Sequence, residues 1–194
     1  MHTVNRADLL TDAERLIRTR GYLAFSLAEL TTGEAAEANG FASKEDLCTL
    51  LIRHKVERAE SALRDVRLEF QDAESRLISF ACLFFEDFEE GIPSLSHALA
   101  AARSEIPVSV RNQIARLFRL QLNWIQTVVK EHWVSNANPA TISSEHAAHL
   151  LMCALEGDAI TECALGAPEP TATGFIQALM LLGISASQAP STTN

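Results

Sequence analysis

Apolar residues recur every three to four positions along most of the chain, the period of an amphipathic helix. Leu9, Leu10, Ala13, Leu16 and Ile17 form one such stripe, with Asp12, Glu14, Arg15 and Arg18 on other faces. The pattern predicts a helix over 6–19, stopped by Gly21. Ser26-Leu27-Ala28-Glu29 has the spacing of a capping box and opens a second helix. Thr31-Thr32-Gly33-Glu34 holds a breaker and a further box, and Ala35 to Ala38 suffice for about one more turn. Asn39-Gly40 is a turn signal. Ser43-Lys44-Glu45-Asp46 caps again, and a long helix runs from Lys44 towards Leu68 on Leu47, Leu50, Leu51, Val56, Ala59 and Leu63.

The rest reads as further helices over 72–88, 94–104, 107–133, 143–165 and 173–182. Pro107 suits a first helical turn, while Asn136 to Pro139 and Gly166-Ala167-Pro168 read as breaks. The expectation is an all-α chain. A small three-helix, helix-turn-helix-like domain covers 1–47, a larger helical bundle 48–184, and a small polar, flexible tail 185–194. No tandem repeat is visible.

Composition narrows the class. Apolar residues make up 47% of 194 residues, enough for a substantial core. The formal net charge of −9 disfavours indiscriminate attraction to nucleic acid or anionic lipid, although a local basic patch is enough for DNA. Cys48, Cys82, Cys153 and Cys163 are scattered and form no disulfide framework, so they read as reduced residues, mostly in the core. The N-terminus lacks the apolar stretch of a signal peptide, and the most apolar run, Leu77 to Phe85, is too short to span a bilayer. A soluble, cytoplasmic protein with no membrane contact is expected.

The run Asp12-Ala13-Glu14-Arg15-Leu16-Ile17, followed by Arg20-Gly21-Tyr22 and Ala24-Phe25-Ser26, resembles the first helix and its exit in the tetracycline-repressor (TetR) family of transcriptional regulators. Phe41-Ala42-Ser43-Lys44-Glu45-Asp46-Leu47 is similar to the start of that family's fourth helix. Gln121 to Trp124 and Leu151 to Gly157 bear a looser likeness to its effector domain. The resemblance implies a homodimer whose body holds a small effector and whose N-terminal domain reads DNA.

One stretch departs from that pattern. Between Ser26 and Ser43 the chain is shorter than the family's, and Ala38-Asn39-Gly40 stands where the recognition helix commonly ends in Tyr and His. From Gly21 to Ser43 there is no Lys or Arg, while Glu29, Glu34 and Glu37 are present. A recognition helix needs side chains at base edges and cations at phosphates, and carboxylates repel the backbone. The candidate DNA contacts are therefore few: Arg20, Thr32, Asn39 and Lys44. Two outputs stay open, a regulator that still docks on DNA and an antagonist that binds another regulator directly or in mixed dimers. A carrier of apolar ligands without regulatory output is a third.

In the body, Phe84, Phe85, Phe88, Phe118, Leu122, Trp124 and Met152 are candidates for the effector pocket, against the plainer reading of core. They suit an apolar or aromatic effector. Ala147, Leu150, Leu151, Ala154, Leu155 and Ala159, with Ile176, Leu179, Met180 and Ile184, are candidates for a four-helix dimer interface, against an intramolecular core. Glu145, His146 and His149 share a helix turn but lack the further ligands zinc needs, so no metal is expected. No Gly-rich phosphate loop, Gly-x-Ser-x-Gly elbow or HExxH motif is present, and neither catalysis nor a cofactor is expected.

Overall fold

Leu9, Ala13 and Ile17, spaced four apart, are the buried face of the first helix, α1 (Arg6–Arg20). Gly21 ends it at φ +84°, a conformation open to glycine, and its N–H closes on the Ile17 carbonyl at 2.9 Å. The chain is described by a computed structural model over residues 6–30, 41–86, 88, 92–136, 142–166 and 171–184. The second capping box, the expected turn of helix at 35–38 and the tail 185–194 lie outside these residues.

Seven further helices follow among the described residues: α2 (Leu27–Leu30), α3 (Lys44–Glu69), α4 (Ala73–Phe85), α5 (Leu95–Ala101), α6 (Val108–Ser135), α7 (Ser144–Leu165) and α8 (Thr173–Leu181). No described residue forms a regular strand, and the all-α expectation holds. No described helix is long and apolar enough to cross a membrane.

Most starts carry a local cap. Glu29 accepts the Ser26 N–H at 2.8 Å, and Ser43 Oγ accepts the Asp46 N–H at 3.0 Å while donating to its carboxylate at 2.8 Å. Ser94 and Ser143 cap α5 and α7. Asp72 caps α4 by accepting the Ser75 N–H at 2.7 Å, a bond that holds its carboxyl below the usual range.

The chain divides into two compact units: residues 1–60 with 92–118, and residues 61–91 with 119–194. Helices α3 and α6 contribute to both.

In the first unit, α1, α2, α5 and the leading parts of α3 and α6 bury Leu9, Ile17, Phe25, Leu47, Ile52, Leu99, Val110 and Leu117. Arg18 reaches from α1 to the Pro93 carbonyl at 2.9 Å and the Ile92 carbonyl at 3.5 Å, just ahead of α5.

In the second unit, Phe80 stacks on Trp124 at 5.7 Å, and the Trp124 indole N–H donates to the Leu63 carbonyl at 3.1 Å. Arg76 takes the carbonyls of Phe70 (2.8 Å) and Arg67 (3.5 Å) at the end of α3. Arg67 and Arg76 both pair with Glu131 on α6. Trp133 donates to the Leu182 carbonyl at 3.1 Å, beyond the end of α8.

The start of α8 is built differently. Ala172 precedes it at φ 51° and supplies no side-chain cap. The cap comes from α7 instead: the Asp158 carboxylate accepts the N–H groups of Gly174 (3.0 Å) and Phe175 (2.9 Å), and Glu162 accepts that of Thr171. A Cβ at residue 174 would stand 2.6 Å from Asp158 Oδ1, so a larger residue there would have to push the capping carboxylate aside.

Candidate functional site

The first unit holds the described candidates for DNA contact, and most cations near the start of the chain are engaged internally. Lys44 opens α3, yet its ammonium points back at the turn after α1. It donates to the Phe25 carbonyl at 2.6 Å and lies 4.2 Å from the Tyr22 ring centre and 4.9 Å from that of Phe25. Burial lowers its pKa. Arg6 lies over the Phe41 ring at 5.0 Å, and Arg18 is bound to the carbonyls ahead of α5. Arg20 forms a solvent-exposed pair with Glu29 at 3.5 Å, a contact weak enough to exchange for a phosphate. Thr32 and Asn39 lie outside the described residues. Sequence reasoning missed the enclosure of Lys44, because spacing alone does not show two aromatic rings folding back onto a helix start.

A cleft of about 410 Å³ in this unit is lined by Asp12, Arg15, Leu16, Thr19, Arg20, Glu29 and Leu30. Two carboxylates and two guanidinium groups share it, so it offers a phosphate no excess of positive charge. The same balance holds for the whole unit. It carries eleven Lys and Arg residues against eleven Asp and Glu, so the net charge of −9 falls on the second unit, where five stand against fourteen.

In the second unit, Phe84, Phe85 and Phe88 form a mutual cluster, with ring centres 5.5, 5.3 and 6.0 Å apart. Phe84 is buried, and Phe85 and Phe88 are half-buried. Met152 is buried, and Leu122 and Trp124 are half-buried. Phe118, also half-buried, belongs to the first unit. A polar cleft of about 510 Å³ lies elsewhere, among Gln71, Asp72, Arg76, Glu131, His132 and Asn136.

The stripe on α7 and α8 divides by direction. Ala147, Leu151, Leu155, Ala159, Leu179 and Ile184 are buried in the chain's own core, and Ala154 and Ile176 are half-buried. Leu150 and Met180 point outward, 43% and 55% exposed, together with Ile160 (53%) and Leu181 (83%). Leu150, Cys153, Gly157, Ile160 and Ala164 thus make an outward line without a charged residue.

Cys48 is fully buried and its thiol is pushed up to about 12 by burial, the reverse of what a reactive cysteine requires. Cys82 and Cys153 are exposed. His146 and His149 are exposed near the start of α7.

No family model matches the sequence, and no curated protein does. Solved structures do. A TetR transcriptional regulator from Legionella pneumophila superposes with a TM-score of 0.74 at 23% identity, covering 94% of this chain and 98% of that one. A TetR-family regulator from Agrobacterium tumefaciens gives 0.75 at 21% identity, over 93% and 97%. The transcriptional regulator FadR from Bacillus subtilis, in complex with stearoyl-CoA, gives 0.67 at 16% identity, over 94% and 100%. The fold is that of the TetR-family transcriptional regulators, as the N-terminal resemblance implied.

Proposed function

We propose that this chain is a ligand-responsive transcriptional regulator that works as a homodimer in the cytoplasm, by binding and not by catalysis. The observation that carries the reading is the fold, shared with such regulators over almost the full length of both chains. The effector is a small, largely apolar or aromatic molecule. The Phe84, Phe85 and Phe88 cluster supports this, as does the stearoyl-CoA bound by the FadR relative, whose acyl chain is apolar. The dimer forms through the outward line of α7 and α8. Effector binding changes the affinity of the other sites by linkage.

DNA contact in this reading rests on Arg20, with Thr32 and Asn39 as further candidates, while Lys44 acts as an internal staple. A second reading has its own support. The segment from Gly21 to Ser43 has no cation, and Lys44, Arg6 and Arg18 are engaged inside the first unit. In that reading the chain antagonises another regulator through mixed dimers or direct contact. The deciding experiment is a salt titration of the purified protein against its own upstream DNA and a random duplex pool. Sequence-specific binding that weakens with salt is expected for the regulator. A folded, dimeric protein that binds neither DNA at low salt overturns that output and leaves the antagonist.

A further inference from the structure

The polar cleft of about 510 Å³ lies wholly in the second unit, between the start of α4 and the end of α6. Its volume is that of a small-molecule site. Its walls bring Asp72, Arg76 and Glu131 together with the buried apolar side chains of Ala73 and Val128.

Arg76 is held in place from behind. Its Nε donates to the Phe70 carbonyl at 2.8 Å and its Nη2 to the Arg67 carbonyl at 3.5 Å, and the side chain is only 14% exposed. A guanidinium is a rigid planar fork, so these bonds also aim its remaining arm. That arm, Nη1, reaches Glu131 at 3.4 Å, long beside the roughly 2.7–2.9 Å of a firm charge-assisted bond. Glu131 does not depend on it, because Arg67 holds its two oxygens at 2.7 and 2.9 Å. Nη1 can therefore exchange Glu131 for the carboxylate of a bound molecule at little cost.

Charge selects that molecule. One cation and two carboxylates line the cleft, in the unit that carries the whole net charge. His132, the other titratable group in the lining, has its ring nitrogens beside the Gly183 carbonyl and the Asn136 amide, each at 3.2 Å. A carboxylate alone would meet repulsion from Asp72 and Glu131, and an amine alone would leave Arg76 unanswered. A molecule that carries both charges meets each with its opposite, and Ala73 and Val128 offer contact to a short aliphatic chain.

We infer that this cleft binds a small zwitterion of the α-amino-acid class, with its carboxylate on Arg76 and its ammonium beside Asp72 and Glu131. The cleft shares no residue with the cluster of Phe84, Phe85 and Phe88, so it is a second site and does not rest on the apolar-effector reading.

The probes are L-norleucine, hexanoate and pentylamine, which carry both charges, the carboxylate alone and the ammonium alone on the same alkyl chain. Each is titrated into the full chain by calorimetry. Norleucine is expected to bind at least about tenfold more tightly than either analogue, the worth of one further charge-assisted bond. Arg76→Gln should remove its advantage over pentylamine. Because Arg76 also ties the end of α3, Ser135→Trp serves as a second variant: Ser135 is an exposed lining residue, and an indole there fills the cleft and should abolish norleucine binding without touching Arg76. Circular dichroism confirms that each variant tested is folded.

Equal affinity for the three probes, or no binding of any, overturns the inference and leaves the apolar-effector reading standing. Norleucine binding that survives Ser135→Trp, or a preference over pentylamine that survives in folded Arg76→Gln, overturns the assignment to this cleft.

Discussion

The ammonium of Lys44 closes the turn between α1 and α2 onto the start of α3. It supplies a charged donor to the Phe25 carbonyl and lies against the rings of Tyr22 and Phe25. A hydrogen bond to a charged group contributes about 1.5–3 kcal/mol, and cation–π contacts add to it. Lys44→Met, which keeps most of the stem and removes the charge and donors, should destabilise the chain by about 1–3 kcal/mol in urea unfolding. Arg20→Gln, at an exposed pair, should cost under about 0.5 kcal/mol. Equal midpoints for Lys44→Met and the wild type would show the ammonium is not a staple. At this scale the sequence was half legible. It put Lys44 at a helix start, where α3 does begin, but its partners come from a turn about twenty residues earlier, and no local pattern aims a flexible side chain backwards. The cysteines were legible only in part: they were expected mostly in the core, where Cys48 lies, but Cys82 and Cys153 are exposed.

Helix ends divide the same way at the scale of elements. Gly21, Ser26 with Glu29, Ser43 with Asp46, and Ser143 mark ends through residues at most four positions from the bond they make, so the sequence displays them. The start of α8 gives no such signal, because Asp158 and Glu162 cap it from the preceding helix. Its expected start at 173 came from Thr173 and the apolar run after the Gly-Ala-Pro break. Asp158 satisfies two N–H groups with two oxygens and places a negative charge at the positive end of α8. Asp158→Ala should therefore cost about 1–2 kcal/mol, as losing a helix cap does. Asp158→Asn, with one acceptor oxygen left, should fall between. Hydrogen exchange would read the change at the amides of Gly174 and Phe175. Protection unchanged in Asp158→Ala would mean that α8 starts without its cap.

At the scale of the whole molecule, charge and exposed apolar surface occupy different places. The second unit carries the entire net charge, yet α8 contains no charged residue, and the line Leu150, Cys153, Gly157, Ile160 and Ala164 on α7 contains none. The sequence displayed an apolar stripe on both helices without showing which part faces inward. Helix α7 is apolar around much of its circumference, and periodicity ranks faces only when one of them is polar. The structure separates the two: Leu151 and Leu155 fill the core, while Leu150, Ile160, Met180 and Leu181 remain outside.

A monomer gains nothing from an uncharged apolar line in its most acidic unit, whereas a second copy can bury it. A two-fold pairing presents the same line from both sides, so the α7 and α8 helices of two chains would form a four-helix contact with the acidic residues at its rim. Ile160→Glu and Leu181→Glu each place a carboxylate near its own symmetry mate in that contact, where like charges in a desolvated interface repel. Both variants should elute as monomers at micromolar concentration in size exclusion with light scattering, while the wild type elutes as a dimer. Leu68→Glu serves as control, because Leu68 is also exposed in the same unit but lies on α3 and is not part of the α7 and α8 line. If all three variants keep the wild-type mass, the outward line of α7 and α8 is not the dimer contact, and the homodimer must be sought on another face.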